Sequence, residues 1–207
     1  MKDVSSYIIE KWSLDKCQRM PIEIPDSNRI KLAQLFEQLG YRSGAEIGTG
    51  TGTNALTLIR NNPDLKLYCI DAWKIYDGLH DYPSDEFLQA YYELSCRRLK
   101  SHKNVEFIRK LSMDAVNMFD DESLDFVYID ANHEWPFVTQ DIFYWSKKVR
   151  SGGIVSGHDY LKVKRPDGLV QVKEVVHAYA EAFDISPWFV IDECTEKRAG
   201  SWFWVKE

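Results

Sequence analysis

The sequence predicts an α/β fold: a doubly wound, mostly parallel sheet with helices on both faces, closed by an antiparallel hairpin. Three observations carry this. From residue 44 onward, short apolar runs alternate with stretches of helical periodicity. A glycine-dense segment, "AEIGTGTGTNA" at 45–55, follows the first apolar run, where a strand-to-helix turn belongs in such a sheet. The last two apolar runs are joined by a polar loop too short for a parallel crossover, so they pair antiparallel.

Each element follows in order. Residues 1–26 read as an N-terminal extension, with "MPIEIP" (20–25) extended between its prolines. Ser27 is placed to cap a helix across 28–39, where Ile30, Leu32, Leu35, Phe36 and Leu39 recur near the 3.6-residue period before Gly40. Strands are expected at "GAEIG" (44–48), "LKLYCID" (65–71), "NVEFIRK" (104–110), "LDFVYID" (124–130) and "GGIVSGHD" (152–159). The closing pair is "WFVIDE" (188–193) and "SWFWVKE" (201–207). Helices are expected at about 53–61, 84–100, 112–119, 136–149 and 168–183. The chain thus divides into an extension with one helix (1–42), on the substrate side, and a main domain (43–207).

Composition narrows the class. With 207 residues, 44% hydrophobic and 28% charged, the chain is an ordinary globular domain rather than a disordered one. A net charge of −6 argues against a broad nucleic-acid footprint. The segment "MKDVSSYIIEKWSLDK" breaks its apolar residues with charges, so neither a signal peptide nor a membrane span is expected. Cys17, Cys69, Cys96 and Cys194 form no C-x-x-C pair, which fits reduced thiols and a cytoplasmic address.

The glycine turn admits two ligands. Read from Gly50 to Ala55, it satisfies the G-x-G-x-x-A dinucleotide fingerprint, which keeps a nicotinamide-dependent oxidoreductase open. Glu46, just before the turn, would repel a pyrophosphate and could instead answer an ammonium group. Asp71 ends the second strand, where an acid can accept both ribose hydroxyls of either cofactor class. Asp130 and Asp159 each follow an apolar strand and should emerge together at the sheet's carboxyl edge. Paired carboxylates there suit Mg²⁺, which can acidify a bound hydroxyl. His133 and His158 lie in the same loops, and an imidazole near its ordinary pKa could take a hydroxyl proton. A structural histidine bonded to a carboxylate is the alternative for His158.

Taken together, "AEIGTGTG", "CIDAW", "DFVYIDANHEWPFVTQDIFYW" and "KVRSGGIVSGHDY" resemble the class I S-adenosylmethionine-dependent methyltransferases, from about residue 43 to 207. The nearest likeness is to the branch with Asp-x-x-His after the fourth strand. The resemblance implies a Rossmann-like, seven-stranded sheet and a set of roles. Glu46, Gly48, Gly50 and Gly52 would cradle the methionine half of the cofactor. Asp71 would hold the ribose with Ala72 and Trp73 alongside, and Ser112 and Met113 would border the adenine. Asp130 would lie beside the cofactor and, with His133 and His158, form the catalytic set. Asp130 and Asp159 would be the metal ligands, as in the similar catechol O-methyltransferases, although Tyr160 here follows where those enzymes have Asn. Asp141 is expected to support packing or capping.

The activity implied is methyl transfer from S-adenosylmethionine to a small-molecule hydroxyl, with no nucleic-acid or membrane partner and an oligomer allowed. A non-catalytic cofactor-binding module and a hydroxylase-like relative are the further alternatives. "WKIYDGLHDYP" (73–83) suits a lid. Lys162, Lys164 and Arg165 form either a clamp for an anionic acceptor or a solvated basic loop. Trp188, Trp202 and Trp204 read as core.

Overall fold

The chain runs α1 (Val4–Lys11), β1 (Ile22–Ile24), α2 (Arg29–Gln38), β2 (Ser43–Ile47), α3 (Thr53–Asn61), β3 (Lys66–Asp71), α4 (Asp85–Leu99) and β4 (Val105–Arg109). It continues through α5 (Ser112–Ala115), β5 (Leu124–Ile129), α6 (Trp135–Lys148), β6 (Val149–Gly157), β7 (Val163–Arg165), β8 (Gly168–Val170), α7 (Val172–Ala182), β9 (Trp188–Ile191) and β10 (Ser201–Val205). These elements come from a computed structural model that describes residues 3–165, 168–191 and 200–207. Cys194 and the loop between β9 and β10 lie outside the described residues, as does the side chain of Arg165.

The main sheet has eight strands in the order β1-β9-β10-β6-β5-β2-β3-β4. Strands β2 to β6 are mutually parallel, and β10 pairs antiparallel with both β6 and β9, giving the expected closing hairpin. The central strands read as continuous apolar runs because both of their faces are covered. In β5, "LDFVYI", only Asp125 is not fully buried. On one face Leu32 and Phe36 of α2 and Leu58 of α3 pack against Phe126. On the other, Ile142 and Trp145 of α6 and Val176 of α7 pack with Val127 and Trp202. Trp188, Trp202 and Trp204 are buried there, as read from the sequence.

The seven expected strands all form, and an eighth joins them. Ile22–Ile24, from the proline-flanked segment, pairs parallel with β9 at the sheet edge. Its side chains alternate buried and exposed, so Ile22 and Ile24 enter the core. The helix expected from 168 begins at Val172, because residues 168–170 are taken by a small hairpin with β7. Asn28 rather than Ser27 caps α2: its Oδ1 accepts from the backbone N–H groups of Ile30 and Lys31 at 3.0 and 3.2 Å. Among the described residues, no helix is long and apolar enough to cross a membrane.

Strand order reverses at β2, whose neighbours are β3 on one side and β5 on the other. The carboxyl ends of β2 and β5 therefore frame the crevice in which an open sheet of this kind binds ligands.

Candidate active site

The crevice is shaped by backbone that a side chain would block. Gly48 has φ +90°, and its N–H donates to the Ile70 carbonyl at 2.8 Å. A Cβ there would lie 2.2 Å from the Asp130 carbonyl oxygen, so β2 and β5 can meet only at glycine. Gly50, at φ +53°, faces open space with nothing within 4 Å of a built Cβ, and its N–H donates to Asp71 Oδ2 at 2.9 Å. Gly52 starts α3 against Ser95. The turn thus places unobstructed backbone at a helix N-terminus, next to a carboxylate.

Asp71 fixes this turn. Its Oδ1 accepts from Trp73 N–H at 2.8 Å, while the Trp73 indole N–H donates to the Gly50 carbonyl at 2.8 Å. Burial pushes the Asp71 carboxyl up, against the backbone donors that stabilise its charge. The Trp73 ring packs with Tyr92 and Phe107 behind the turn and does not line the crevice, so its place is that of a brace.

The crevice opens into a cavity of about 350 Å³. Gly48, Gly50, Asp71, Ala72 and Asp130 line it, as do Ser112 and Met113. Tyr76, Leu79 and Tyr82 from the segment after β3 line it as well. That segment is held down: Asn132 Nδ2 donates to the Gly78 carbonyl at 2.9 Å, and the Phe137 ring fills the space a Gly78 side chain would need.

Beneath the turn lies Glu46, 1% exposed. Its Oε1 accepts from Asn54 Nδ2 at 2.8 Å, and its Oε2 is buried with no hydrogen-bond partner. Burial raises its pKa to about 8, and the nearby Asp130 charge adds to that rise. In the isolated chain Glu46 is therefore a neutral acid at pH 7, not the carboxylate expected from its position.

The ends of β5 and β6 deliver their acids to one point. His133 Nε2 lies 2.9 Å from Asp159 Oδ2 and 3.5 Å from Asp130 Oδ1. The first distance is that of an ion pair, though the approach lacks hydrogen-bond alignment. His158 Nδ1 is 3.5 Å from Asp159 Oδ1, and its Nε2 is buried without a partner. One donor atom each from Asp130, His133 and Asp159 can be chosen within 4.8 Å of one another. Burial alone would lower the His133 pKa, but the two carboxylates overcome it and raise it to about 10. Asp159 is held well below the carboxylate range by the two histidines, against the opposing effect of burial. The histidine expected to be near neutral pKa is thus an imidazolium, held in that form by its two aspartate neighbours.

The comparisons with known proteins agree with this geometry. A family model described as a methyltransferase domain matches residues 45–160, from the glycine turn to the residue after Asp159. The chain belongs to the methyltransferase domain family. A search of curated proteins returns no match. Among solved structures, this methyltransferase is similar to cofactor-bound Rv0187 from MTB, at 15% identity over 100% of this chain and 91% of that one, with TM-score 0.65. It is also similar to the O-methyltransferase TomG from Streptomyces achromogenes in complex with SAM, at 19% identity, 100% and 91% coverage and TM-score 0.62. An rRNA methylase from Streptococcus thermophilus shares the fold at 12% identity, 87% and 98% coverage and TM-score 0.61.

Two features of the methyltransferase site had no signal in the sequence. Arg29, from the first turn of α2, brings its guanidinium to 3.8 Å from Asp130 Oδ2. Asp81, in the segment over the cavity, lies 3.9 Å from His133 Nδ1. Neither spacing nor residue type marks these positions, because both contacts depend on how distant segments fold over the sheet. The basic loop after Asp159 forms hairpin β7–β8. Gln171, just beyond it, donates its backbone N–H to the His133 carbonyl at 2.9 Å and accepts from Trp135 N–H at 3.1 Å. The exposed side chain of Lys162 is paired with Glu174 at 2.8 Å.

Asp141 is more than a packing residue. It is buried on α6, lines the cavity and accepts a hydrogen bond from Ser112 Oγ, which itself accepts from Trp145 Nε1 at 2.8 Å. Burial pushes its carboxyl from 3.8 up to about 7, against the Ser112 donor. Between these values the folded chain holds a proton that the unfolded chain has released, so stability falls as pH rises from about 4 to about 7. Asp141→Asn, which removes the charge, is expected to match the parent near pH 4 and to exceed it at pH 8. The gain, on the order of 2–4 kcal/mol, is checked by urea unfolding of the cofactor-free protein at both pH values.

Proposed function

We propose that this methyltransferase moves the methyl group of S-adenosylmethionine to a hydroxyl of a small molecule, with His133 handling the acceptor's proton. The observation that carries the reading is the placement of His133 between Asp130 and Asp159, with Asp130 itself lining the cavity together with Gly48 and Gly50. TomG, an O-methyltransferase of the same fold holding this cofactor, supports it.

The residues suit the cofactor. Gly48, Gly50 and Gly52 clear the backbone for its methionine half, and Glu46 has an unpartnered oxygen beneath them that would accept from its ammonium. That contact would also favour the ionised form of Glu46. Asp71 has one lone pair left on each oxygen for the ribose hydroxyls. When bound, the sulfonium supplies an activated methyl group; the protein's part is chiefly alignment and proton handling. Transfer of that methyl group to the acceptor oxygen, with cleavage of its bond to sulfur, would release the hydroxyl proton to the protein or solvent.

His133 cannot take that proton while it already carries one. Positive charge on the two carboxylates would release it as a base, and Mg²⁺, which Asp130 and Asp159 would hold through their oxygens, would supply that charge and acidify a bound hydroxyl. The acidic mouth, with Asp81, Asp130 and Asp159, disfavours a phosphate-rich acceptor, which separates this chain from the rRNA methylase of the same fold. Free Cys17, Cys69 and Cys96 fit a reducing, cytoplasmic setting.

The test combines binding and turnover. Calorimetry is expected to detect S-adenosylhomocysteine binding, with at least roughly tenfold loss in Asp71→Ala. A panel of phenols, catechols and aliphatic alcohols with S-adenosylmethionine is expected to yield S-adenosylhomocysteine by mass spectrometry. EDTA is expected to lower that yield at least tenfold and added Mg²⁺ to restore it. Binding without turnover on any hydroxyl would favour a non-catalytic module, and stabilisation by NAD alone would favour an oxidoreductase.

A further inference from the structure

Tyr160 closes the "GHDY" segment at the end of β6, and its side chain does not line the cavity. The phenol packs on α7 and β9 instead. Its hydroxyl is hydrogen-bonded to His177 Nε2 at 2.6 Å, and the two rings stack with centroids 5.9 Å apart. Trp188 meets Tyr160 and His177 edge-on, at 5.9 and 5.1 Å. Lys173 adds its ammonium 5.4 Å from the centre of the Tyr160 ring. A ring held by one helix and one strand is a fixed point in an otherwise irregular loop.

What it fixes is the residue before it. Asp159 has φ +51°, a left-handed conformation that costs most side chains roughly 1–2 kcal/mol and persists only where the surroundings enforce it. The chain turns sharply there, with Leu161 N–H donating to the Asp159 carbonyl at 2.6 Å. Tyr160 N–H donates to the Gly200 carbonyl at 3.1 Å and Lys173 N–H to the Leu161 carbonyl at 3.3 Å, so the backbone beyond Asp159 is tied to β10 and α7. In this conformation the Asp159 carboxylate lies 2.9 Å from His133 Nε2 and 3.5 Å from His158 Nδ1. The chain before Asp159 is fixed in the sheet, where His158 N–H donates to the Ile129 carbonyl at 3.0 Å. Rotation about the Asp159 N–Cα bond to negative φ would therefore swing the carboxylate away from the two imidazoles.

We propose that Tyr160, pinned to His177, is a positioning residue that holds Asp159 in its left-handed conformation and so sets the carboxylate against His133. The proposal rests on the reading of His133 as the group that handles the acceptor's proton, and it names what fixes the geometry of that group's partner. Tyr160 acts through Asp159 and touches neither cofactor nor acceptor. His177, exposed on α7, acts one step further out, through the phenol.

Turnover, binding and structure of the full chain test this. Tyr160→Ala is expected to lower kcat on the best hydroxyl acceptor at least roughly tenfold, the order of effect of a misplaced reacting group. Its affinity for S-adenosylhomocysteine is expected to stay within about threefold of the parent, since neither Tyr160 nor His177 lines the cavity. Tyr160→Phe keeps the ring contacts and is expected to recover most of the loss, leaving kcat about two- to fivefold below the parent. His177→Ala should match Tyr160→Phe, and the double variant should fall within about twofold of either, because both remove the same hydrogen bond. Crystal structures are expected to show the Asp159 carboxylate beyond ion-pair distance of His133 Nε2 in Tyr160→Ala and back beside it in Tyr160→Phe. Parent-like kcat in Tyr160→Ala would overturn the proposal, as would an unmoved Asp159 carboxylate or an equal loss of turnover and cofactor affinity. If Tyr160→Ala does not fold, parent-like kcat in both Tyr160→Phe and His177→Ala overturns it. If the parent methylates no hydroxyl, the proton-handling reading fails, and the position of Asp159 in the variant structures decides the role of Tyr160 by itself.

Discussion

Gly48→Val is expected to lower affinity for S-adenosylhomocysteine by more than about 100-fold and to destabilise the fold by about 3 kcal/mol. The added Cβ would sit 2.2 Å from the Asp130 carbonyl oxygen and 2.5 Å from Ala131 Cα, atoms of backbone that cannot swing aside. The φ of +90° adds strain that no β-branched residue tolerates. For a chain of this size the stability loss corresponds to a melting shift of roughly 6–12 °C. Gly50→Ala is the control: its Cβ meets nothing, so it should cost only the left-handed backbone penalty of about 1 kcal/mol. Melting curves and calorimetry on the two variants separate a clash inside the fold from a change in the turn. Parent-like binding by Gly48→Val would mean that the junction of β2 and β5 does not shape the ligand site.

His133→Ala is expected to reduce turnover by roughly 10²- to 10⁴-fold, the range for loss of a positioned acid–base group. Affinity for S-adenosylhomocysteine should stay within about threefold of the parent, because the imidazole is not among the side chains that line the cavity. Steady-state rates on the best hydroxyl acceptor, with binding measured in parallel, make the separation. A fall in binding equal to the fall in rate would point to an organising role for His133. Parent-like turnover would move proton handling to solvent.

The sheet was legible because parallel strands buried on both faces leave continuous apolar runs. "LDFVYID" and "LKLYCID" could hardly be anything else, and the acids that end them fall at the carboxyl edge by geometry alone. Strand β1 was harder to see. Its three residues sit between prolines, and what makes them a strand is β9, more than 160 residues away. Hairpin β7–β8 has charged and glycine residues that give no alternating pattern, so its first residues blended into the helix that follows. At the site, the residue types were visible while their charge states were not. Glu46 looked like an anion and is a neutral acid, because its whole side chain is buried with one neutral donor. His133 looked like a base and is a cation, because two carboxylates converge on it. Asp141 was read as support, and its helix position says nothing of the cavity it also borders. Charge state is a property of surroundings, and a linear pattern holds little of that.

The pairing of Ile22–Ile24 with Trp188–Ile191 has a consequence for how the protein is made. As the edge strand of the sheet, β1 has no strand to bond with until residues 188–191 have left the ribosome. The parallel strands β2 to β6 are complete by residue 157, and they can associate while the chain is still growing. Tyr41, whose hydroxyl donates to the Gly152 carbonyl at 2.7 Å, can be fixed at that stage. The segment with Ile22 and Ile24 must wait with its apolar side chains unburied, so residues made before the parallel strands reach their place after them. Sequence separation of this kind slows folding, and it leaves this apolar segment in need of shielding during translation.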